Sequence, residues 1–124
     1  MTASTRKRIL VGAQDSGLCL TLTGVFAREG FYAAMACDTL AVREAIDATE
    51  PPDVLILDDS LGMDRVGVLL HHCRATPSFA HTKVIVLAGQ DSEEDEVAML
   101  NLGAADYLRK PLRTRALVSR VNKA

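Results

Sequence analysis

Cysteine is scarce and scattered. Cys19, Cys37 and Cys73 form no C-x-x-C pair, so the chain carries no disulfide framework and offers zinc no closely spaced ligands. Three isolated thiols read as small buried hydrophobes of a reducing compartment, which points to the cytoplasm. The histidines do not supply a metal site either. His71 and His72 are adjacent, so they face different sides of a helix, and His81 stands alone. An excess of one charge is also missing. Fourteen Lys and Arg against sixteen Asp and Glu leave a net charge of -2, too little positive surface for direct nucleic-acid binding. No apolar run is long enough for a bilayer, and no signal-peptide core follows the polar, basic residues 1–8. Internal repeats, linkers and low-complexity tracts are absent as well.

What is present is the composition of a soluble globular domain, 48% hydrophobic and 24% charged over 124 residues. That length predicts a single domain over residues 1–124, able to bury a core without disulfide or metal staples. The chain is either a stand-alone unit or the first part of a longer protein. Short β-rich runs fall at residues 9–11, 31–36, 54–57, 84–87 and, weakly, 107–108. Runs 54–57 and 84–87 are apolar throughout, the mark of parallel strands covered on both faces.

Helical stripes lie between these runs. Leu18, Leu22, Val25 and Phe26 form the first, which Gly30 should close. Ala41, Val42, Ala45 and Ile46 form the second, with Asp38 as its cap and Pro51-Pro52 as its stop. Val66, Leu69, Leu70 and Cys73 form the third, with Asp64 as the expected cap. The fourth opens with the acidic run Asp91 to Asp95, in which Ser92 and Asp95 resemble a capping box. Val97 and Leu100 are expected to face inward there, with Gly103 closing the helix. Leu117, Val118 and Val121 form the fifth, beside Arg113, Arg115 and Arg120. The β-α alternation predicts a three-layer α/β sandwich on a five-stranded parallel sheet.

In such sheets ligands bind beyond the carboxyl ends of the strands. Those ends carry Gly12 to Asp15, Asp58 to Ser60, Ala88 to Gln90, and Arg109 to Pro111. An aspartate and a lysine at neighbouring strand ends can share one pocket. The ammonium there can neutralise a phosphoryl group or pair with the carboxylate. Asp58 and Lys110 are the candidates, with a structural ion pair as the plainer alternative.

The segments PPDVLILDDSLGMD, NLGAADYLRKPL, KRILVGAQDS and REGFYAAMACDTLAVREAI resemble the receiver domains of bacterial response regulators over nearly the whole chain. The resemblance implies strand order 2-1-3-4-5 with two helices on one face and three on the other. It places Asp58 as the phospho-acceptor and Lys110 as the phosphoryl-pairing lysine, with a cis Lys110–Pro111 bond aiming that lysine at Asp58. It implies Mg²⁺ held by two acids after the first strand, the acceptor, and the backbone carbonyl of Ser60. Ala88 and Tyr107 fall at the switch positions. The implied donor is a sensor histidine kinase or phosphotransfer protein, and the implied partner surface is helix four, strand five and helix five.

Several positions depart from that pattern. The acid pair maps to Ala13 and Gln14, with Asp15 one position late, which leaves Gln14 and Asp15 as weak metal candidates. Mg²⁺ binding is therefore expected to be weak or absent. Ala88 lacks the switch hydroxyl, which leaves room for Tyr107 to sit inward permanently. The loop after Asp58 is one residue short, lacking a proline before Gly62. Asp59 is expected to be solvated or to cap, with a turn into the site at the strand end as the alternative, which leaves Asp58 as the one obvious counter-charge to Lys110. Two functions follow: a phospho-accepting receiver, or a phosphorylation-independent interaction module. A flavin binder on the same topology is disfavoured by 4% aromatics and by a first loop without a hydroxyl-rich phosphate cradle. Acids 93–96 and Arg113, Arg115 and Arg120 could make the partner surface self-complementary, with apolar contact from Tyr107 and Leu102, allowing a homodimer.

Overall fold

Each apolar run becomes a strand and each stripe a helix. The computed structural model describes residues 6–48, 50–90 and 92–124. Residues 1–5 of the basic N-terminus and Asp91 of the acidic run lie outside the described residues. The order is β1 (Arg8–Gly12), α1 (Ser16–Arg28), β2 (Tyr32–Ala36), α2 (Thr39–Asp47), β3 (Val54–Asp58), α3 (Met63–Ala75), β4 (Lys83–Ala88), α4 (Glu93–Asn101), β5 (Asp106–Arg109) and α5 (Thr114–Lys123). Short 3-10 turns occupy Asp59–Leu61 and Pro77–Phe79. All strand pairings are parallel, in the order β2-β1-β3-β4-β5.

The period-two geometry of a strand divides the core into two clusters. Val54 and Ile56 of β3 join Ile9, Val11, Ile85 and Leu87 beneath α1 and α5. Leu55 and Leu57 join Leu10, Val84 and Val86 beneath α2, α3 and α4. The expected two-and-three division of helices is what forms. All five residues of β3 are buried, and each such aliphatic side chain contributes about 1.5–3 kcal/mol. Asp58 thus ends the most deeply held strand.

Helix starts follow the expected side-chain caps in two cases. Asp38 Oδ1 accepts from the Ala41 N–H at 2.7 Å, and Ser92 Oγ from the Asp95 N–H at 3.1 Å. Gly30 and Gly103 stand just past α1 and α4 at φ of +91° and +108°. Asp64 is not a cap. It lies inside the first turn of α3, and Gly62 takes the cap position without a side-chain bond, because the short loop after β3 starts the helix early.

Val97 and Leu100 do not face inward; they are 49% and 42% exposed. Met99 is the buried residue of α4. Its Cε lies 3.4 Å from where a Cβ on Gly67 of α3 would stand. The missing side chain at Gly67 admits the long, flexible methionine, and that contact sets the rotation of α4.

Candidate functional site

Asp58 closes β3 with its side chain fully buried. Lys110 follows β5, where its backbone N–H donates to the Ala88 carbonyl at 2.8 Å, and the Lys110–Pro111 bond is cis. Lys110 Nζ stands 2.7 Å from Asp58 Oδ1, so the expected pair forms. That contact is a charge pair whose geometry falls short of an aligned hydrogen bond. Asp58 Oδ2 accepts from the Ser60 N–H at 2.9 Å.

Asp59 is neither solvated nor merely capping. Its Oδ1 accepts from Lys110 Nζ at 2.8 Å, and its Oδ2 accepts from the Gly89 N–H at 2.6 Å. The cause is the turn that follows β3. The Gly62 N–H donates to the Asp59 carbonyl at 2.9 Å, and Gly62 adopts φ +95°, a conformation open to glycine at little cost. This tight turn swings Asp59 over the strand ends. One ammonium therefore serves two carboxylates, not one.

Burial opposes charge on Asp59, but the hydrogen bonds from Lys110 and Gly89 and the lysine charge outweigh it. They hold its carboxyl below the ordinary value of 3.8. Burial likewise works against the Lys110 ammonium, but Asp58 and Asp59 together push it above 10.5.

Ser60 ties two loops together. Its Oγ accepts from the Gln14 N–H at 2.9 Å and the Asp15 N–H at 3.2 Å. Asp15 is the N-cap of α1, accepting from the Leu18 N–H at 3.1 Å. Ala13 is fully buried, and Ala88 is buried beside Gly89. Tyr107 is also buried, clustered with Ala88, Met99 and Ala104. At 7% exposed, Tyr107 supplies no contact on the outer face. The sequence offered Asp59 in the site as the less favoured alternative and gave no sign of two contributors, the Gly89 N–H and the Ser60 hydroxyl. The advance signal for Asp59 was the missing residue before Gly62.

A carboxylate at the end of a central parallel strand, paired with a lysine from the end of β5, fits a phosphoryl site at the carboxyl edge of the sheet. Comparison with known proteins gives the same class. Residues 9–122 match the model of the response regulator receiver domain, and the chain belongs to that family. It is 34% identical over 117 residues to the DNA-binding response regulator MtrA of Mycolicibacterium paratuberculosis, covering 94% of this chain and 50% of that protein. It is 33% identical over 130 residues to the alkaline phosphatase synthesis transcriptional regulatory protein SphR of Synechococcus elongatus, covering 95% and 48%. The chain thus spans about half the length of the curated relatives it matches. The receiver domain of a Francisella response regulator superposes with a TM-score of 0.85 at 27% identity, covering 95% of each chain. A CheY-like receiver from Methanospirillum hungatei, at 24% identity, shares the fold with a TM-score of 0.86, covering 96% of this chain and 93% of that one. The chain is a receiver domain of two-component signalling, and such domains are signalling modules, not enzymes.

Receiver domains typically bind Mg²⁺ at their acidic site. The side chains here offer that ion fewer free carboxylate oxygens than such an acidic site. Ala13 has no side-chain oxygen, and the Asp15 carboxylate caps α1. Asp58 Oδ1 faces the Lys110 ammonium, and its Oδ2 accepts from the Ser60 N–H. Among the described residues no group of three or more His, Cys, Asp or Glu is arranged to hold a metal. No described helix is long and apolar enough to cross a membrane.

Proposed function

We propose that residues 1–124 act as one receiver domain that accepts a phosphoryl group on Asp58. The donor is the phosphohistidine of a sensor kinase or phosphotransfer protein, the class of partner with which receiver domains interact. An Asp58 carboxylate oxygen attacks phosphorus. The new O–P bond forms as the N–P bond breaks, and the imidazole leaves with the electron pair. Lys110 neutralises charge on the transferring group, and catalysis is otherwise positioning. The observation that carries this reading is Lys110 Nζ at 2.7 Å from the fully buried Asp58 carboxylate. No step is assigned to a metal, and Mg²⁺ affinity is weak on this reading because the first-strand acids are replaced. The Ser60 carbonyl and Gln14 take no assigned metal role in it.

The partner surface is α4, β5 and α5, through which the chain meets a second copy. Exposed Val97, Leu100 and Leu102 supply the apolar contact that the buried Tyr107 does not. With a net charge of -2, the domain itself does not grip nucleic acid. Cys19 and Cys73 are buried as expected, whereas Cys37 is exposed, and three free thiols suit the cytoplasm.

Acetyl phosphate with Mg²⁺ in the buffer, read by intact mass, tests the acceptor. One added phosphoryl group is expected on the wild type and none on Asp58→Asn. No gain on the wild type, or an equal gain on Asp58→Asn, overturns the assignment.

A further inference from the structure

Lys110 Nζ, 2.7 Å from the Asp58 carboxylate, and the Gly89 N–H, at the end of the adjacent strand β4, are two donors at this edge of the sheet that a phosphoryl oxygen on Asp58 could use. Both are taken by Asp59, at 2.8 and 2.6 Å. The fit is close. A Cβ at Gly89 would stand 3.3 Å from Asp59 Oδ2, so the carboxylate rests against bare backbone. A carboxylate presents two anionic oxygens in a plane, which is the part of a phosphoryl group that two donors recognise. The Asp59 side chain is only 23% exposed, and the Asp58 side chain that shares its lysine is fully buried.

Charge makes the two occupants exclusive. Two carboxylates already share one ammonium here. A phosphoryl group on Asp58 adds negative charge within a few ångströms, where the low dielectric magnifies repulsion. Asp58 and Lys110 are both required by the transfer, so Asp59 is the anion free to leave. Its tether is the short turn to Gly62, and swinging the side chain away breaks no ladder bond.

We propose that Asp59 is an internal occupant of the phosphoryl site, an anion that competes with the incoming phosphoryl group for Lys110 and Gly89 and so restrains phosphorylation of Asp58. The inference rests on the phospho-acceptor reading and adds a regulator to it. Asp59 lowers the rate at which any donor modifies the domain, and phosphorylation proceeds only from conformers in which it has turned out.

Two measurements test it. In the first, acetyl phosphate is followed by intact mass on wild type, Asp59→Ala and the isosteric Asp59→Asn. Asp59→Ala gains the phosphoryl group about tenfold faster than wild type, the weight of one charged hydrogen bond at its low end; Asp59→Asn falls between. Equal or slower gain overturns the inference. The second removes phosphoryl transfer from the experiment. Inorganic phosphate is titrated into ¹⁵N-labelled Asp58→Asn and Asp58→Asn/Asp59→Ala, and the Gly89 amide shift is followed. The double variant saturates at about tenfold lower phosphate, with the remaining amides confirming the fold. The same midpoint in both proteins overturns the inference whatever the mass experiment shows. A lower midpoint combined with no mass gain in any protein leaves Asp59 as the site's occupant and removes the acceptor reading instead.

Discussion

Lys110 is the residue on which the site's electrostatics turn. It holds a fully buried carboxylate and a mostly buried one with a single charge. Removing the cation from a buried pair is far costlier than the net worth of the pair, because the remaining charge is stranded. Lys110→Met is therefore expected to destabilise the domain by about 3 kcal/mol at neutral pH, measured by urea unfolding. The deficit should shrink on acidification, since a protonated carboxyl needs no counter-ion. Asp59 has its own signature. Its carboxyl is held below the ordinary 3.8, so its stabilisation is present above that value and lost as pH falls through the depressed one. The stability gap between wild type and Asp59→Asn should be flat from neutral pH to about pH 5 and close below 3.8. A gap that widened on acidification would contradict the ion contact. Lys110 gives the opposite limb, since its raised value keeps its contribution until pH climbs beyond 10.5.

At the scale of elements, α4 is held differently from its neighbours. Met99 is its buried residue, whereas α1 buries Cys19, Leu22 and Phe26, and α3 buries Val66, Leu69, Leu70 and Cys73. Its start depends on Ser92 and on four acids, Glu93 to Glu96, at the positive end of the helix dipole. Losing the cap is thus a larger share of what holds this helix. Ser92→Ala is expected to cost about 1 kcal/mol. Hydrogen exchange should locate the loss in α4, with its amides exchanging faster while those of α1 and α3 keep their protection. A uniform loss across the domain would show that α4 unfolds only with the whole.

Across the whole molecule, opposite charges on α4, β5 and α5 are partly satisfied within one chain. Arg109 pairs with Glu96 at 2.7 Å and Arg120 with Asp106 at 2.6 Å. Exposed pairs of this kind contribute little to stability, but they place acid and base side by side with Val97, Leu100 and Leu102 exposed nearby. A two-fold contact can exchange such pairs between copies. Light scattering of the wild type is expected to show mass rising with concentration, and Arg115→Glu should abolish the rise by placing like charges across the contact. A wild type that stays monomeric, or a dimer indifferent to Arg115→Glu, rejects this surface as a self-contact.

The five β-α units, the parallel sheet and the meeting of Asp58 with Lys110 were all legible in the order of residues. Periodicity sets which face of a strand or helix is apolar. Right-handed crossovers then bring the carboxyl ends of β3 and β5 to one edge of the sheet. Tertiary structure alone decided where Asp59 points, how α4 is rotated and where Tyr107 lies. Alternation fails at the last residue of a strand, because the next side chain is aimed by the turn that follows. Here the turn is shortened and passes through Gly62 at φ +95°. The rotation of α4 follows from a gap on another helix, where Gly67 admits Met99, and a stripe read from one segment cannot register a vacancy in its neighbour. Tyr107 lies inward in a cluster built from β4, α3 and α4, segments distant from it in the chain. Local pattern therefore determined the frame and its charged pair, while the three-dimensional course of the turn after β3 determined which second anion the lysine holds.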